Sequence, residues 1–186
     1  YDSIDKALPQ TSAPSVSDYL EKIEEIKALG YEEILGIGPS SELSGTYNAM
    51  RLALEAADVK FLALDTEQIS LSQGVLILYA RDLIAQGLNL EAVYEEVYAK
   101  RHDACILAVV SDLKYLRRGG RISHLKGILG ELLKLHPILT IDSKGKIGVH
   151  KTVRGRRRAL EETVKTVKEA LKGKDKYYLA LAYGQS

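Results

Sequence analysis

Short apolar runs alternate with amphipathic segments in the first part of the chain, and this alternation limits it to few folds. Residues 32–38, 59–65 and 103–110 read EEILGIG, VKFLALD and DACILAVV, which is typical of short buried strands. The segments between them place apolar residues at helical spacing. Strands that alternate with helices predict a parallel sheet with right-handed crossovers, so we expect an α/β amino-terminal domain over residues 1–120.

The pattern changes in the second part of the chain. Its predicted elements are a helix, a β-hairpin that turns at DSKG, a long helix and a last strand, over residues 123–135, 137–153, 154–173 and 176–184. We therefore expect a second, smaller domain of mixed or antiparallel α/β type over residues 121–186. The sequence has no predicted strand before the first helix and no predicted element after the last strand, so we expect the chain to be incomplete at both ends.

Composition argues against several functional classes. The hydrophobic content of 46% and the charged content of 27% are those of a soluble globular protein, and a net charge of +1 argues against nucleic-acid binding. The single Cys105 cannot form an internal disulfide, which favours a reducing cytoplasm. No run approaches the about 20 apolar residues of a membrane span, so at most transient contact with a membrane surface is expected. His and Cys do not fall at metal-ligand spacing, so neither a metal nor a cofactor is predicted.

Polar clusters at element boundaries are candidates for a binding site. TSAPS precedes the first helix at residues 11–15, PSSELSGTY joins a strand to a helix at residues 39–47, and RRGGRIS occupies residues 117–123. Hydroxyls and backbone N–H groups at a helix N-terminus suit an anion, and ligands of α/β sheets lie at the carboxyl ends of strands. Ser and Thr are also the usual N-cap residues, so the junction and the first cluster, each taken alone, favour an ordinary cap, and the third cluster alone is also consistent with a loop. A site is predicted if the clusters converge.

The order and spacing of TSAPS, SSELSGTY, YLRRGGRIS and HPILTIDSKGKI resemble the DegV family of bacterial fatty-acid-binding proteins. The resemblance covers essentially the whole chain. It implies an α/β amino-terminal domain, a smaller carboxy-terminal α/β domain, and a long-chain fatty acid buried between them. It also implies a protein that is not an enzyme but presents the acyl carboxylate to a fatty-acid kinase, on the route to phospholipid synthesis.

The resemblance also implies roles for individual residues. Thr11 and one serine of the pair Ser40 and Ser41 would hold the carboxylate, while the SGT residues shape the turn and cap the helix beside it. The implied ligand-binding set is Thr11, Ser12, Ser40, Ser41, Ser44, Gly45, Thr46 and Arg121. The implied set for docking the kinase is Arg154, Arg156 and Arg157.

The chain departs from the family pattern in two places. Ala13 stands where the family usually has Gln, which alters a hydrogen bond beside the site. The family's amino-terminal Asp-Ser segment and its late His-Thr-Gly motif have no counterpart in these residues. A ligand contact from that late His therefore has no residue to carry it here.

Other classes of function fit less well. A binding protein for a phosphorylated small molecule or a nucleotide is the main alternative, because the strand-to-helix junction at residues 39–47 suits phosphate equally well. No Walker lysine or G-x-G-x-x-G supports it. A serine hydrolase would need a G-x-S-x-G elbow, but residues 42–46 read ELSGT. The basic run KTVRGRRR at residues 151–158 opposes the dipole of the following helix, which favours a docking face for an acidic protein or phosphate over DNA.

Overall fold

The computed structural model describes residues 11–110, 113–122 and 135–184. The first part of the chain alternates helices and strands as the sequence predicts. Its elements are α1 Val16–Ala28, β1 Glu33–Gly38, α2 Thr46–Ala56, β2 Lys60–Asp65, α3 Ser70–Ala85 and α4 Leu90–Lys100.

The second part of the chain is built differently. Its elements are β3 Ala108–Val109, α5 Lys114–Arg118, β4 His136–Ile141, β5 Ile147–Val153 and α6 Arg156–Leu171. The predicted hairpin and the long helix after it are confirmed. The helix predicted over residues 123–135 falls almost wholly at residues 123–134, which lie outside the described residues.

The boundaries of the first helix follow from local sequence signals. The Asp18 amide donates to the Ser15 hydroxyl at 3.2 Å, and the Ser15 amide donates to the Asp18 carboxylate at 2.7 Å, which together form a capping box. Gly30 follows the helix with a φ of +87°. Ser15 therefore caps the start of the helix, and Gly30 follows its end.

The strands β1 and β2 form a parallel sheet that helices cover on both faces. Its register runs from Glu33 opposite Lys60 to Gly38 opposite Asp65. Side chains of successive strand residues point to opposite faces, so each face contributes to a separate core. The core on the α3 and α4 side contains Leu64, Leu76, Ala80, Leu83, Val93 and Val97, and the core on the α1 and α2 side contains Ile23, Ala53 and Leu54.

Two glycines of β1 allow α2 to approach this sheet closely. A Cβ atom at Gly36 would lie 2.8 Å from Cδ1 of Leu54, and one at Gly38 would lie 2.9 Å from Cβ of Tyr47. Both distances are shorter than van der Waals contact allows. The amino end of α2 is thereby held beside the carboxyl end of β1, and the loop between them is confined.

The strands β3, β4 and β5 form an antiparallel sheet in that order. The strand β3 pairs with β4 at Ala108 and Val109, and α6 packs on the sheet. The buried residues Ile122, Leu139 and Ile147 form its core. The protein is therefore of mixed α/β class, with a parallel sheet followed by an antiparallel one, as predicted.

The prediction that residues 103–110 form a third parallel strand is wrong. Only Ala108 and Val109 form a strand, and they pair antiparallel with β4. An apolar run satisfies a buried strand of either direction, and nothing in the run itself selects its partner. Because β3 precedes residue 120 yet belongs to the second sheet, the two sheets do not divide at the predicted domain boundary, which stays a prediction.

The predicted last strand over residues 176–184 is also wrong. A strand needs a hydrogen-bonded neighbour, and this segment pairs with no other described strand. Instead, Tyr178 contacts α3, where its hydroxyl donates to the Asp82 carboxylate and its ring lies edge-on to Tyr79 at 6.3 Å between centroids. Within the described ranges, no helix is both long and apolar enough to cross a membrane.

Candidate functional site

The loop of residues 39–45, named here the serine loop, leaves the carboxyl end of β1 and enters α2. Its backbone is fixed by hydrogen bonds to the loop after β2, since the Ser40 amide donates to the Gln68 carbonyl at 2.8 Å. The Ser40 carbonyl accepts from the amides of Leu43 and Ser44, each at 3.1 Å. The serine loop is therefore a closed turn whose shape depends on the position of Ser40.

The two serines at the start of the loop have different surroundings. Ser40 is completely buried, and its hydroxyl donates to the Gly145 carbonyl at 2.8 Å. Ser41 is exposed, and its amide donates to the Asp65 carboxylate at 3.1 Å. The Ser40 hydroxyl thus has an internal partner, and Ser41 lies beside a fixed negative charge that opposes an anion.

The other end of the loop carries hydroxyls at the amino end of α2. The hydroxyls of Ser44 and Thr46 share a hydrogen bond of 2.7 Å in which either can donate, and the Thr46 amide donates to the Ser44 hydroxyl at 3.2 Å. Gly45 is the N-cap residue and offers no side chain to the helix amides, and the first turn contains no acidic residue. The positive end of the helix dipole is therefore open to an anion there.

The segment before α1 lies against this end of the loop. A Cβ atom at Gly45 would lie 3.9 Å from Cβ of Ala13. Thr11 and Ser12, which precede Ala13, are exposed. The first and second polar clusters of the sequence therefore lie side by side.

The third cluster reaches the loop from the second sheet. The Arg121 side chain donates from Nε to the Leu43 carbonyl at 3.4 Å and from Nη1 to the Gly119 carbonyl at 2.7 Å. Ile122 is buried in the core of the antiparallel sheet, where Leu43 packs against it. All three clusters therefore meet at residues 43–45, which is the convergence that the sequence analysis required of a site.

The arginines predicted to dock a kinase lie elsewhere. Arg154, Arg156 and Arg157 are exposed at the far end of β5 and the start of α6. At about 3.4 Å per residue, β5 separates Arg154 from the hairpin turn by roughly 25 Å. Arg157 forms an exposed ion pair with Glu161 at 2.9 Å. These residues do not join Arg121 at the serine loop.

Several residues at the site were not predicted from the sequence. Asp65 accepts hydrogen bonds from the amides of Ser41 and Glu67, and Gln68 holds the Ser40 amide. Gln68 is buried, and its Oε1 atom has no hydrogen-bond partner in the described part of the chain. The position of Asp65 and Gln68 just after an apolar run was a usable signal, because ligand sites of α/β sheets collect at the carboxyl ends of strands.

A charged cluster borders the site on the α4 side. Glu67 accepts from Arg101 Nε at 3.3 Å and lies 3.0 Å from His102 Nε2, and the Arg101 guanidinium stacks over the Tyr98 ring at 3.7 Å. The described residues contain no group of three or more His, Cys, Asp or Glu side chains that could hold a metal ion. The site combines hydroxyls, backbone amides and Arg121 with the carboxylate of Asp65 and the buried side chain of Gln68.

The fold and the site describe a mixed α/β protein whose hydroxyl-rich loop follows β1 of a parallel sheet and contacts the hairpin of an antiparallel sheet. All 186 residues match the family model described as "Uncharacterised protein, DegV family". The chain is a member of the DegV family.

Relatives and solved structures agree with this assignment. A DegV domain-containing protein of Clostridium acetobutylicum is 32% identical over 175 residues, which cover 94% of this chain and 62% of the relative. A fatty-acid-binding DegV family protein from Thermus thermophilus has a TM-score of 0.80 at 33% identity, covering 90% of this chain and 59% of that one. A stearic-acid-binding protein from Eubacterium ventriosum has a TM-score of 0.80 at 25% identity, covering 94% and 61%. The chain thus spans about three fifths of the length of these proteins.

Proposed function

We propose that the protein binds a long-chain fatty acid and presents its carboxylate to a fatty-acid kinase without itself catalysing a reaction. The observation that supports this most is the convergence of three polar clusters at residues 43–45 in a chain whose structural relatives are named as fatty-acid-binding proteins. On this proposal the protein acts in the cytoplasm and supplies acyl groups for phospholipid synthesis.

The carboxylate is proposed to lie between the amino end of α2 and the segment before α1. Ser44 and Thr46 offer hydroxyls there, the helix dipole favours an anion, and Thr11 and Ser12 lie on the adjoining segment. Neutral donors hold a carboxylate without a counter-charge, which leaves the oxygen free to attack a phosphoryl group. Ser40 and Ser41 belong to the predicted set, but the Ser40 hydroxyl already donates to the Gly145 carbonyl, and the Ser41 amide donates to the Asp65 carboxylate, whose charge opposes an anion.

The acyl chain needs an apolar surface, because each buried CH₂ contributes about 0.8 kcal/mol. The helix α3 exposes such surface, with Ile77, Leu78 and Ile84 each at least 40% exposed. We propose that this face of α3 contributes to the acyl pocket. Arg154, Arg156 and Arg157, remote from the serine loop, are proposed to contact the kinase.

Native mass spectrometry of the protein purified from a bacterial host tests the proposal directly. The expected result is a co-purified mass that matches a fatty acid, with saturable binding of added oleate. A phosphate-binding protein would instead bind nucleotides or sugar phosphates, which would compete with each other, and it would not bind oleate. Absence of both a co-purified fatty acid and oleate binding would overturn the proposal.

Alanine substitutions locate the head group within the site. Thr11→Ala and Ser44→Ala are each expected to weaken oleate binding by about 1–3 kcal/mol, the contribution of a hydrogen bond to a charged group. Ser41→Ala, beside Asp65, is the matched control and is expected to bind nearly as the parent does. The reverse order, with Ser41→Ala the weaker binder, would place the carboxylate at the Asp65 side of the loop.

A further inference from the structure

We propose that the turn of the β4–β5 hairpin, residues 142–146, sets the position of the serine loop, and that Ser40 is a positioning residue that joins the two. The proposal deepens the proposed function and rests on it only where it concerns fatty-acid binding. It assigns Ser40 a role different from contact with the head group.

The joint is a buried hydrogen bond between residues far apart in the chain. The Ser40 hydroxyl donates to the Gly145 carbonyl at 2.8 Å, and both residues are buried. A buried hydroxyl that already has a partner is poorly placed to serve a ligand, because changing partners would leave the Gly145 carbonyl unsatisfied.

Only glycine can occupy position 145 without disturbing the contact with Ser40. Its φ of +74° suits glycine, and a Cβ atom there would lie 2.3 Å from the Ser40 hydroxyl oxygen and 3.4 Å from Cα of Glu67. Gly173 has nearly the same φ, +75°, but a Cβ atom there meets nothing within 4 Å. The turn conformation alone therefore does not explain the fit at Gly145, and the contact with Ser40 does.

The turn itself is rigid enough to act as a support. The Asp142 side chain accepts from the amides of Lys144 and Lys146 at 2.9 and 3.0 Å. The Asp142 amide also donates to the Lys146 carbonyl at 2.9 Å, and the Gly145 amide donates to the Asp142 carbonyl at 3.0 Å. The position of the Gly145 carbonyl is thus fixed from within the turn.

The position of Ser40 directly affects the proposed head-group residues. The Ser40 carbonyl accepts from the amides of Leu43 and Ser44, so the position of Ser40 determines that of Ser44. Lys146 and Glu42 form a second link at 3.2 Å, which is partly exposed to solvent and therefore weaker. A displaced turn would consequently displace the hydroxyl end of the serine loop.

The test compares Gly145→Ala with Gly173→Ala, which imposes the same backbone strain without the contact. In the ligand-free protein, amide hydrogen exchange of Leu43 and Ser44 is expected to speed up at least tenfold in Gly145→Ala. Exchange within the β1–β2 ladder is expected to change less than twofold. Gly173→Ala is expected to leave the Leu43 and Ser44 amides as they are in the parent.

Ser40→Ala provides a second and milder test if Gly145→Ala does not fold. If Ser40 is a positioning residue, the amides of Leu43 and Ser44 should exchange faster in Ser40→Ala without ligand. Oleate should also bind at least tenfold more weakly, whereas the affinity for methyl oleate, which lacks the carboxylate, should change little. Weaker oleate binding with unchanged exchange would make Ser40 a direct ligand and overturn the proposal, as would no change in either. If the parent itself fails to bind oleate, the proposed function is wrong. The exchange data still show whether the contact between Ser40 and Gly145 positions the serine loop.

Discussion

The two ends of the β4–β5 hairpin are built on opposite principles. At the turn, a buried glycine and a buried serine meet through a neutral hydrogen bond, and the adjoining Ile147 packs with Leu43 in an apolar core. At the other end, the hairpin leads into an exposed basic segment whose ion pairs are on the surface. Buried contacts of fixed geometry can position a loop, whereas exposed charges of loose geometry can attract a partner. One hairpin thus connects a candidate ligand site to a candidate docking face.

The largest expected difference between the ends concerns stability. Ile147→Ala at the turn end is expected to lower the free energy of unfolding by about 2–4 kcal/mol, because Ile147 is only 7% exposed and its truncation leaves a cavity. Leu160→Ala near the basic end is the matched control, since Leu160 is 45% exposed, and a loss below about 1 kcal/mol is expected. Urea unfolding at equilibrium measures both values. Equal losses would contradict the contrast between a packed end and an open end.

A smaller effect is expected from the side chain that organises the turn. Asp142→Ala should lower the free energy of unfolding by about 1–2 kcal/mol, because two backbone amides lose a charged acceptor at a largely exposed position. Asp142→Asn is the control, since its amide oxygen can accept the same two hydrogen bonds, and it should lose less than half as much. A loss as large for Asn as for Ala would mean that the charge, not the turn geometry, matters.

The pH dependence of the same substitution has a defined sign. Partial burial alone would raise the pKa of Asp142, but hydrogen bonds from the amides of Lys146 and Lys144 and their nearby ammonium groups hold that pKa below its ordinary value of 3.8. A lowered folded-state pKa contributes stability above the unfolded pKa and loses it as pH falls through the folded pKa. The difference between the parent and Asp142→Ala should therefore be constant above about pH 5 and shrink below about pH 4. A difference that grows on acidification would contradict this.

Much of the fold was predictable because its signals are local. Ser15 and Gly30 bound the first helix, and DSKG marks the hairpin turn, within a few residues of the elements they define. The partner of β3 was not predictable, because an apolar run does not encode which strand it meets. The apolar segment at residues 176–184 was mistaken for a paired strand for the same reason.

The candidate site was predictable in part. The three polar clusters were identified as a group, but their convergence at residues 43–45 depends on tertiary packing, because Ala13 lies beside Gly45 and Arg121 reaches the Leu43 carbonyl from the side of the antiparallel sheet. The link between Ser40 and Gly145 joins residues 105 positions apart, and neither residue carries a local signal for it. The glycine reads as an ordinary turn residue and the serine as an ordinary loop hydroxyl.

The smallest effect on stability is expected at the basic end of the hairpin. Substitutions there should reduce acyl-phosphate formation without affecting oleate binding. Arg154→Ala and Arg156→Ala are expected to change the free energy of unfolding by less than about 0.5 kcal/mol, because both side chains are exposed. Oleate binding should also be unchanged, because β5 separates Arg154 by roughly 25 Å from the hairpin turn that contacts the serine loop. Acyl-phosphate formation with a purified fatty-acid kinase should fall, since arginine grips phosphoryl groups and carboxylates through two donors at once.

Ionic strength separates this docking role from a structural one. Exposed charges are screened beyond about 10 Å at 0.1 M salt, so the parent should lose acyl-phosphate formation as salt rises while Arg154→Ala shows a shallower dependence. Arg121→Ala is the comparison, because Arg121 bonds the Leu43 carbonyl and its loss should weaken oleate binding and transfer together. If Arg154→Ala instead reduced oleate binding and transfer by the same factor, the arginine would support the ligand site or the fold. The two ends of the hairpin would then not have separate functions.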